Sequence, residues 1–366
     1  MMSDKVILAN CKEDYQRLGI TKKPAIWEDG MRTNGQAGTF EWWYFDAEYT
    51  DGSKVVVVFY TKDGFDIKGE ACPSIRFELT LPDGRSISKL ICEKKGSTIR
   101  ASKEKCDVKI DRSSVQYSKG QYLIHFVDDE IDYRCTMKSI LPMWRPKTGH
   151  MYFGEKQEDF FAWFVAQPSA KLEAVLTLNG ERRELVGNGY HDHNWGNVEM
   201  NKVINHWYWC RANVGPYTVI SCDIIAEKKY GYKRSPIIMI AKDGEILEDQ
   251  EEHTKIERND MINHPFTKKF MDNKLKFIQS SEHNTSYQIE YHRKDDLVAS
   301  SLLAGMKLSL PLKIAIKVLK INPTYVRCIG TVTLTVNKNG EEEVYEQEAL
   351  WEQMFFAKNK HAIIHE

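Results

Sequence analysis

Apolar and polar residues alternate with a period of two along much of the chain. Leu172, Ala174, Leu176 and Leu178 share one face of an extended segment. Val332, Leu334 and Val336 share a face of another, with Thr331, Thr333 and Thr335 opposite. Val55 to Tyr60 is aliphatic or aromatic throughout, as a strand buried on both sides requires. Between such segments stand Asp51-Gly52, Asp63-Gly64, Asp83-Gly84, Asn179-Gly180, Asp243-Gly244 and Asn339-Gly340, the dipeptides that suit tight hairpins. Long stripes at helical spacing are scarce. The pattern predicts an all-β protein of antiparallel sheets closed into barrels or sandwiches, with few short helices. One helix is expected from Lys12 to Leu18. Another is expected from Pro311 to Ile321, with proline in its first turn and Asn322-Pro323 ending it. The lysines of that second segment could make a peripheral contact with anionic lipid headgroups, against the ordinary reading of a solvated face.

The chain also echoes itself. Asn179-Gly180-Glu181 leads to Tyr190-His191-Asp192-His193-Asn194, and Asn339-Gly340-Glu341 leads to Leu350-Trp351-Glu352-Gln353-Met354. Asp192 falls opposite Glu352 at an offset of 160 residues. Trp42-Trp43-Tyr44 is echoed by Trp207-Tyr208-Trp209 at an offset of 165. These echoes predict an N-terminal extension over 1–23 and two similar β-domains, 24–198 and 199–366. A carboxylate near the border of each domain would suit a site at a domain interface.

Composition narrows the function. The 366 residues carry 51 Lys+Arg against 52 Asp+Glu, a net charge of −1. That balance argues against nucleic acid, which selects a basic excess. No apolar run approaches the roughly 20 residues of a membrane span, so no integral membrane association is expected. The first ten residues lack the apolar core of a signal peptide, and no two of the eight cysteines lie within ten residues of each other. They read as reduced thiols of a cytoplasmic protein, without zinc-knuckle spacing. No motif calls for a metal or another cofactor.

Three segments could carry chemistry. In Gly187 to Gly196 two histidines flank an acid, with Tyr190, Asn194 and Trp195 beside them, and glycines at the ends let backbones approach closely. In Glu41-Trp42-Trp43-Tyr44-Phe45-Asp46, alternation puts Trp42 and Tyr44 on one face, so that one aromatic pair can pack a core while the other lines a pocket. Trp207-Tyr208-Trp209-Cys210-Arg211 leads into a strand on which Asp223 shares a face with Val219, Ser221 and Ile225. A carboxylate among such neighbours pairs with a cation, for which Arg211 is the nearest candidate, or has a raised pKa.

These motifs, with Pro323-Thr324-Tyr325-Val326-Arg327 and Trp351-Glu352-Gln353-Met354, resemble the hydroxyneurosporene-synthase or carotenoid-hydratase-like family over nearly the whole chain. The resemblance implies two lipocalin-like β-barrels in tandem, and relatives that hydrate isoprenoid double bonds or close rings as pericyclases. It implies that His193 and Trp195 match the family's His-x-Trp and Asp223 its catalytic acid, while the tyrosine two residues before that acid is Ser221 here. The expectation is a lyase or cyclase for an apolar, isoprenoid-like or polyketide substrate. Asp223 would protonate a C=C bond, His193 with Asp192 would orient the water or internal group that captures the cation, and Trp42, Trp195 and Trp209 would stabilise it. Tyr44, Tyr190, Asn194, Trp207, Arg211, Ser221 and Glu352 complete the expected binding wall. Glu352 is expected to be structural or to gate the pocket, bonded to a backbone amide or to Arg327. The site is expected where the His-Asn-Trp segment meets the strand of Asp223. The alternatives are a pericyclase that moves no proton and a hydrophobic-ligand carrier without chemistry.

Overall fold

The computed structural model describes residues 5–65, 67–97, 99–281, 284–302 and 322–356. The helix expected over 311–321 lies outside them. The one expected near the N-terminus is present as α1, Lys12–Leu18, with Asp14 accepting from the amides of Asn10 and Cys11. Strands dominate the rest. The first sheet contains β1 (Val6–Leu8), β2 (Phe40–Tyr49), β3 (Lys54–Lys62), β4 (Ser74–Thr80), β5 (Ser86–Cys92), β6 (Arg100–Ala101), β7 (Asp107–Ile110) and β8 (Ser113–Ser118). It continues through β9 (Gln121–Val127), β10 (Ile131–Ser139), β11 (His150–Phe153), β12 (Asp159–Leu178) and β13 (Glu181–Gly196). The second contains β14 (Ile204–Val214), β15 (Tyr217–Ala226), β16 (Arg234–Lys242), β17 (Glu245–Glu248) and β18 (Thr254–Asn263). Its remaining strands are β19 (Phe270–Ser280), β20 (Thr285–Ser301), β21 (Thr324–Lys338) and β22 (Glu341–Phe355).

The chain divides into two compact units. One comprises Ile7–Tyr152 and Gln157–Glu199; the other comprises Met200–Glu366 with Met1–Val6 and Phe153–Lys156. Both follow one plan. Apart from β1 and β11, which pair with each other beside β12, each is an antiparallel meander whose opening strand turns back to pair with its closing strand, β2 with β13 and β14 with β22, and whose pairing is open between β5 and β6 or between β17 and β18. This is the lipocalin-like, barrel-forming architecture. The sheet register makes the two echoes of the sequence one and the same. Tyr44 stands opposite Asp192 in the first unit, and Trp209 stands opposite Glu352 in the second. Both offsets therefore describe a single pair of equivalent positions.

Local chemistry accounts for the hairpins. Asn179 and Gly180 join β12 to β13 with φ of 50° and 86°, and Asn339 and Gly340 join β21 to β22 with 54° and 89°. Two successive left-handed residues make the turn whose twist matches the flanking strands, and Asn-Gly is the pair that adopts it most readily. Alternation then decides the faces. Trp43, Phe45, Phe59, Phe77 and Phe126 fill the inside of the first unit, while Tyr208, Val219, Phe277, Tyr291 and Trp351 fill the second. Burial of each such side chain stabilises the fold by about 1.5–3 kcal/mol.

Candidate active site

In a paired strand, register decides which side chains meet. Tyr190, Asp192 and Asn194 of β13 lie opposite Asp46, Tyr44 and Trp42 of β2. All six therefore share one face, opposite to the face that carries the core residues Trp43, Phe45 and Trp195. On this outer face Asp192 is buried. Its Oδ2 accepts from Trp163 Nε1 and from the Tyr190 hydroxyl, each at 2.8 Å, and its Oδ1 accepts from Asn194 Nδ2 at 2.8 Å. Burial pushes the Asp192 carboxyl up to about 7, against the pull of these three donors and of nearby His191. Half-buried Tyr44 sets its ring edge-on to Tyr190 with centroids 6.3 Å apart. Half-buried Trp42 stacks on Phe40 at 5.3 Å and meets Phe161 at 6.3 Å. Asp192 is thus an aromatic-walled acid poised to exchange a proton near neutral pH.

Trp163 is the residue that sequence reasoning missed. It lies on β12, opposite Asn194, and reaches Asp192 diagonally. The aromatic run Phe160-Phe161-Ala162-Trp163-Phe164 was the available signal, but only the cross-strand register turns it towards the acid.

His193 and Trp195 lie on the inner face, away from Asp192. His193 Nε2 meets Glu41 Oε1 at 2.8 Å, and its Nδ1 meets the Glu28 carbonyl at 3.2 Å. Glu41 also accepts from the amides of Arg32 and Thr33 and from the Thr33 hydroxyl. His191 repeats the pattern, with Nε2 3.0 Å from Asp29 Oδ2 and Nδ1 2.9 Å from the Tyr44 carbonyl. All four partners are carbonyl or carboxylate oxygens, so each ring is held at both of its nitrogens. The network ties a 3₁₀ turn, Ile26–Asp29, to β2 and β13; Arg145 Nε holds Glu28 Oε2 at 2.7 Å. Asp29, Cys106 and His191 bring their donor atoms within 4.8 Å of one another, as a metal would need. The Tyr122 hydroxyl and His191 occupy Asp29 Oδ2, while Oδ1 is buried without a hydrogen-bond partner.

The second unit distributes its candidates by the same rule. Tyr208 lies opposite Asp223, and Cys210 opposite Ser221, on the inner face. Trp207, Trp209 and Arg211 lie opposite Ile224, Cys222 and Ile220, on the outer face. This corrects the expected pairing of Asp223 with Arg211, since alternation turns the two side chains to opposite sides of the sheet. The buried Asp223 instead takes Arg234 of β16, at 2.8 Å to Oδ2 and 3.3 Å to Oδ1, with Arg258 Nε 3.8 Å from Oδ2. Glu352 accepts from Trp207 Nε1 at 3.1 Å and stands opposite Arg327 in the ladder.

The structure therefore gathers Trp42, Tyr44, Tyr190, Asp192 and Asn194 in the first unit, and Trp207, Trp209, Arg211 and Glu352 on the corresponding face of the second. It separates His193 and Trp195 from the former, and Ser221 and Asp223 from the latter.

The model of the Diels-Alderase-like family matches residues 34–297, and the chain belongs to that family. Among curated proteins, it is 22% identical over 200 residues to the quinolone epoxide rearrangement protein asqO of Emericella nidulans, covering 52% of this chain and 55% of that one. It is 25% identical over 214 residues to a hydroxyneurosporene dehydrogenase of Chlorobaculum tepidum, covering 48% and 54%. These matches span about half the length of the curated relatives. Among solved structures, CghA with Sch210972 superposes with a TM-score of 0.62 at 14% identity, covering 88% of this chain and 89% of that one. Kievitone hydratase from Nectria haematococca gives 0.54 at 13%, covering 87% and 89%. The shared lipocalin-like fold and the hydroxyneurosporene relative agree with the resemblance carried by the sequence motifs. Among the described residues, no helix is long and apolar enough to cross a membrane, and no cysteine is joined in a disulfide.

Proposed function

We propose that the chain is an enzyme that rearranges, cyclises or hydrates an apolar small molecule, and that Asp192 is its acid. One observation carries this reading: a buried carboxyl, raised to about 7, on a half-buried aromatic face. Oδ2 already accepts two hydrogen bonds and Oδ1 one. The acid proton therefore belongs on Oδ1, which keeps the open acceptor position. From there it can pass to an alkene, epoxide or carbonyl oxygen of the substrate. Trp163 and Tyr190 position the carboxyl by fixing Oδ2. Trp42 and Tyr44 offer ring faces to developing positive charge, worth about 2 kcal/mol per contact when water is excluded. Asp223 is the weaker candidate, because its carboxylate is committed to Arg234. The names of the relatives, a rearrangement protein and a hydratase among them, support chemistry at unsaturated or strained carbon centres.

The test begins with the small molecule that co-purifies with the protein, identified by mass spectrometry and returned to the protein in D₂O. Protonation of an alkene places deuterium on carbon, whereas protonation of an epoxide or carbonyl oxygen and a purely pericyclic step both leave carbon unlabelled, and the Asp192→Asn rate separates these two. Asp192→Asn should lower turnover about 10²- to 10⁴-fold, the usual contribution of a general acid. Full turnover in that variant removes the acid from the mechanism, and a product unlabelled at carbon removes alkene protonation.

A further inference from the structure

Lys269 closes the loop between β18 and β19, where its carbonyl accepts from the His264 amide at 2.7 Å. Only 4% of the residue is exposed. Its Nζ sits 4.4 Å from the centroid of the Phe355 ring, and Phe355 stacks in turn on His206, with centroids 5.4 Å apart and planes 4° from parallel. Among the described residues, neither a carboxylate nor a hydrogen-bond acceptor meets this amine. The charged and titratable groups of the adjoining strands are engaged with one another. Arg258 of β18 donates to His206 Nε2 at 3.2 Å and stands 3.9 Å from Asp272 of β19. Asp223 of β15 holds Arg234 of β16. His264, in the same loop, meets Asp296 of β20 at 2.6 Å. Tyr208 of β14 donates to Asp272, and Gln353 of β22 donates to the Tyr208 hydroxyl.

The Phe355 ring gives this amine a cation–π contact in place of a counter-ion, and burial still lowers its pKa to about 8. Nearly every buried lysine is paired, and the exceptions are suited to nucleophilic work. We propose that Lys269 is an amine nucleophile for carbonyl compounds, forming a Schiff base with an aldehyde or ketone at the aromatic floor made by Phe355 and His206. In the step, neutral Nζ adds to the carbonyl carbon, its two amine protons pass in turn to the carbonyl oxygen, and water leaves as the C–O bond breaks and the C=N bond forms. This activity is independent of the Asp192 chemistry and lies in the other unit.

The full chain is treated at pH 7 with limiting butanal and sodium cyanoborohydride, which reduces the imine in place, and adducts are mapped by peptide mass spectrometry. Lys269 should carry most of the first equivalent, at least tenfold over any other lysine. Its labelling rate should level off above pH 8, while the remaining lysines continue to gain up to about pH 10, their ordinary range. Lys269→Arg, which keeps the charge but forms no imine, should leave only slow, scattered labelling with an unchanged circular dichroism spectrum. Labelling of wild-type Lys269 no faster than that of the other lysines at pH 7 overturns the proposal, whether or not the variant folds.

Discussion

At the scale of single residues, Asp192 and His193 are chain neighbours with opposite fates. Alternation sends Asp192 outward to three neutral donors and His193 inward to Glu41. The residue types were legible in the sequence, as were the shared faces of Trp42 with Tyr44 and of Ser221 with Asp223. The partners were not, because Trp163, Glu41 and Arg234 come from other strands, and only the ladder register brings them into reach. The acid role fixes the sign of the pH response. The protonated form is the active one, so turnover should hold below pH 7 and fall about tenfold per unit well above it. A rate that rises through pH 7 would identify Asp192 as a base. On the inner face, His193→Ala removes the ring that bridges Glu41 and the Glu28 carbonyl, leaves those buried oxygens without it, and should destabilise the first unit by about 1–3 kcal/mol for each group left unsatisfied. Chemical denaturation measures this, and a loss below about 1 kcal/mol would mean that the pair is dispensable.

At the scale of elements, the segment from Gly187 to Gly196 works because β13 presses against β2. A Cβ built on Gly189 lies 2.4 Å from the Asp46 carbonyl oxygen and 2.9 Å from Leu172 Cδ1. The glycine is there for close approach, the reason the sequence offered. Gly189→Ala must push β2 and β13 apart opposite Ala47, three residues along the ladder from the pair Asp192 and Tyr44. It should cost about 1–3 kcal/mol, the usual scale of overpacking, and lower the Tm by several degrees. An unchanged Tm would show that the strands separate freely there. The duplicated Asn-Gly hairpins and the period-two runs made the strands legible. The closure of each sheet by its first and last strands was not, since that pairing joins segments about 150 residues apart and leaves no local signal.

At the scale of the whole molecule, two buried groups of the first unit pull its stability in opposite directions across the same pH range. The Asp192 carboxyl rises from 3.8 to about 7, so the folded state holds its proton more tightly than the unfolded chain. Its contribution is complete below pH 3.8 and is lost as the pH climbs towards 7. Burial pushes His150 down from 6.5 to about 4. Its contribution is complete above pH 6.5 and is lost as the pH drops towards 4. Asp192→Asn should therefore flatten the loss of stability between pH 4 and 7, and His150→Gln should soften acid unfolding over the same interval. Thermal melts at half-unit pH steps read both slopes, and parallel curves for variants and wild type would contradict them.

The account turns on the protonation of Asp192, and carboxyl ¹³C NMR of the folded wild-type protein reads it directly, with Asp192→Asn assigning the signal. The Asp192 ¹³Cγ resonance should titrate with a midpoint near 7. A midpoint in the ordinary aspartate range near 4 would mean that the carboxyl is ionised at neutral pH, and the proposed acid would have no proton to give.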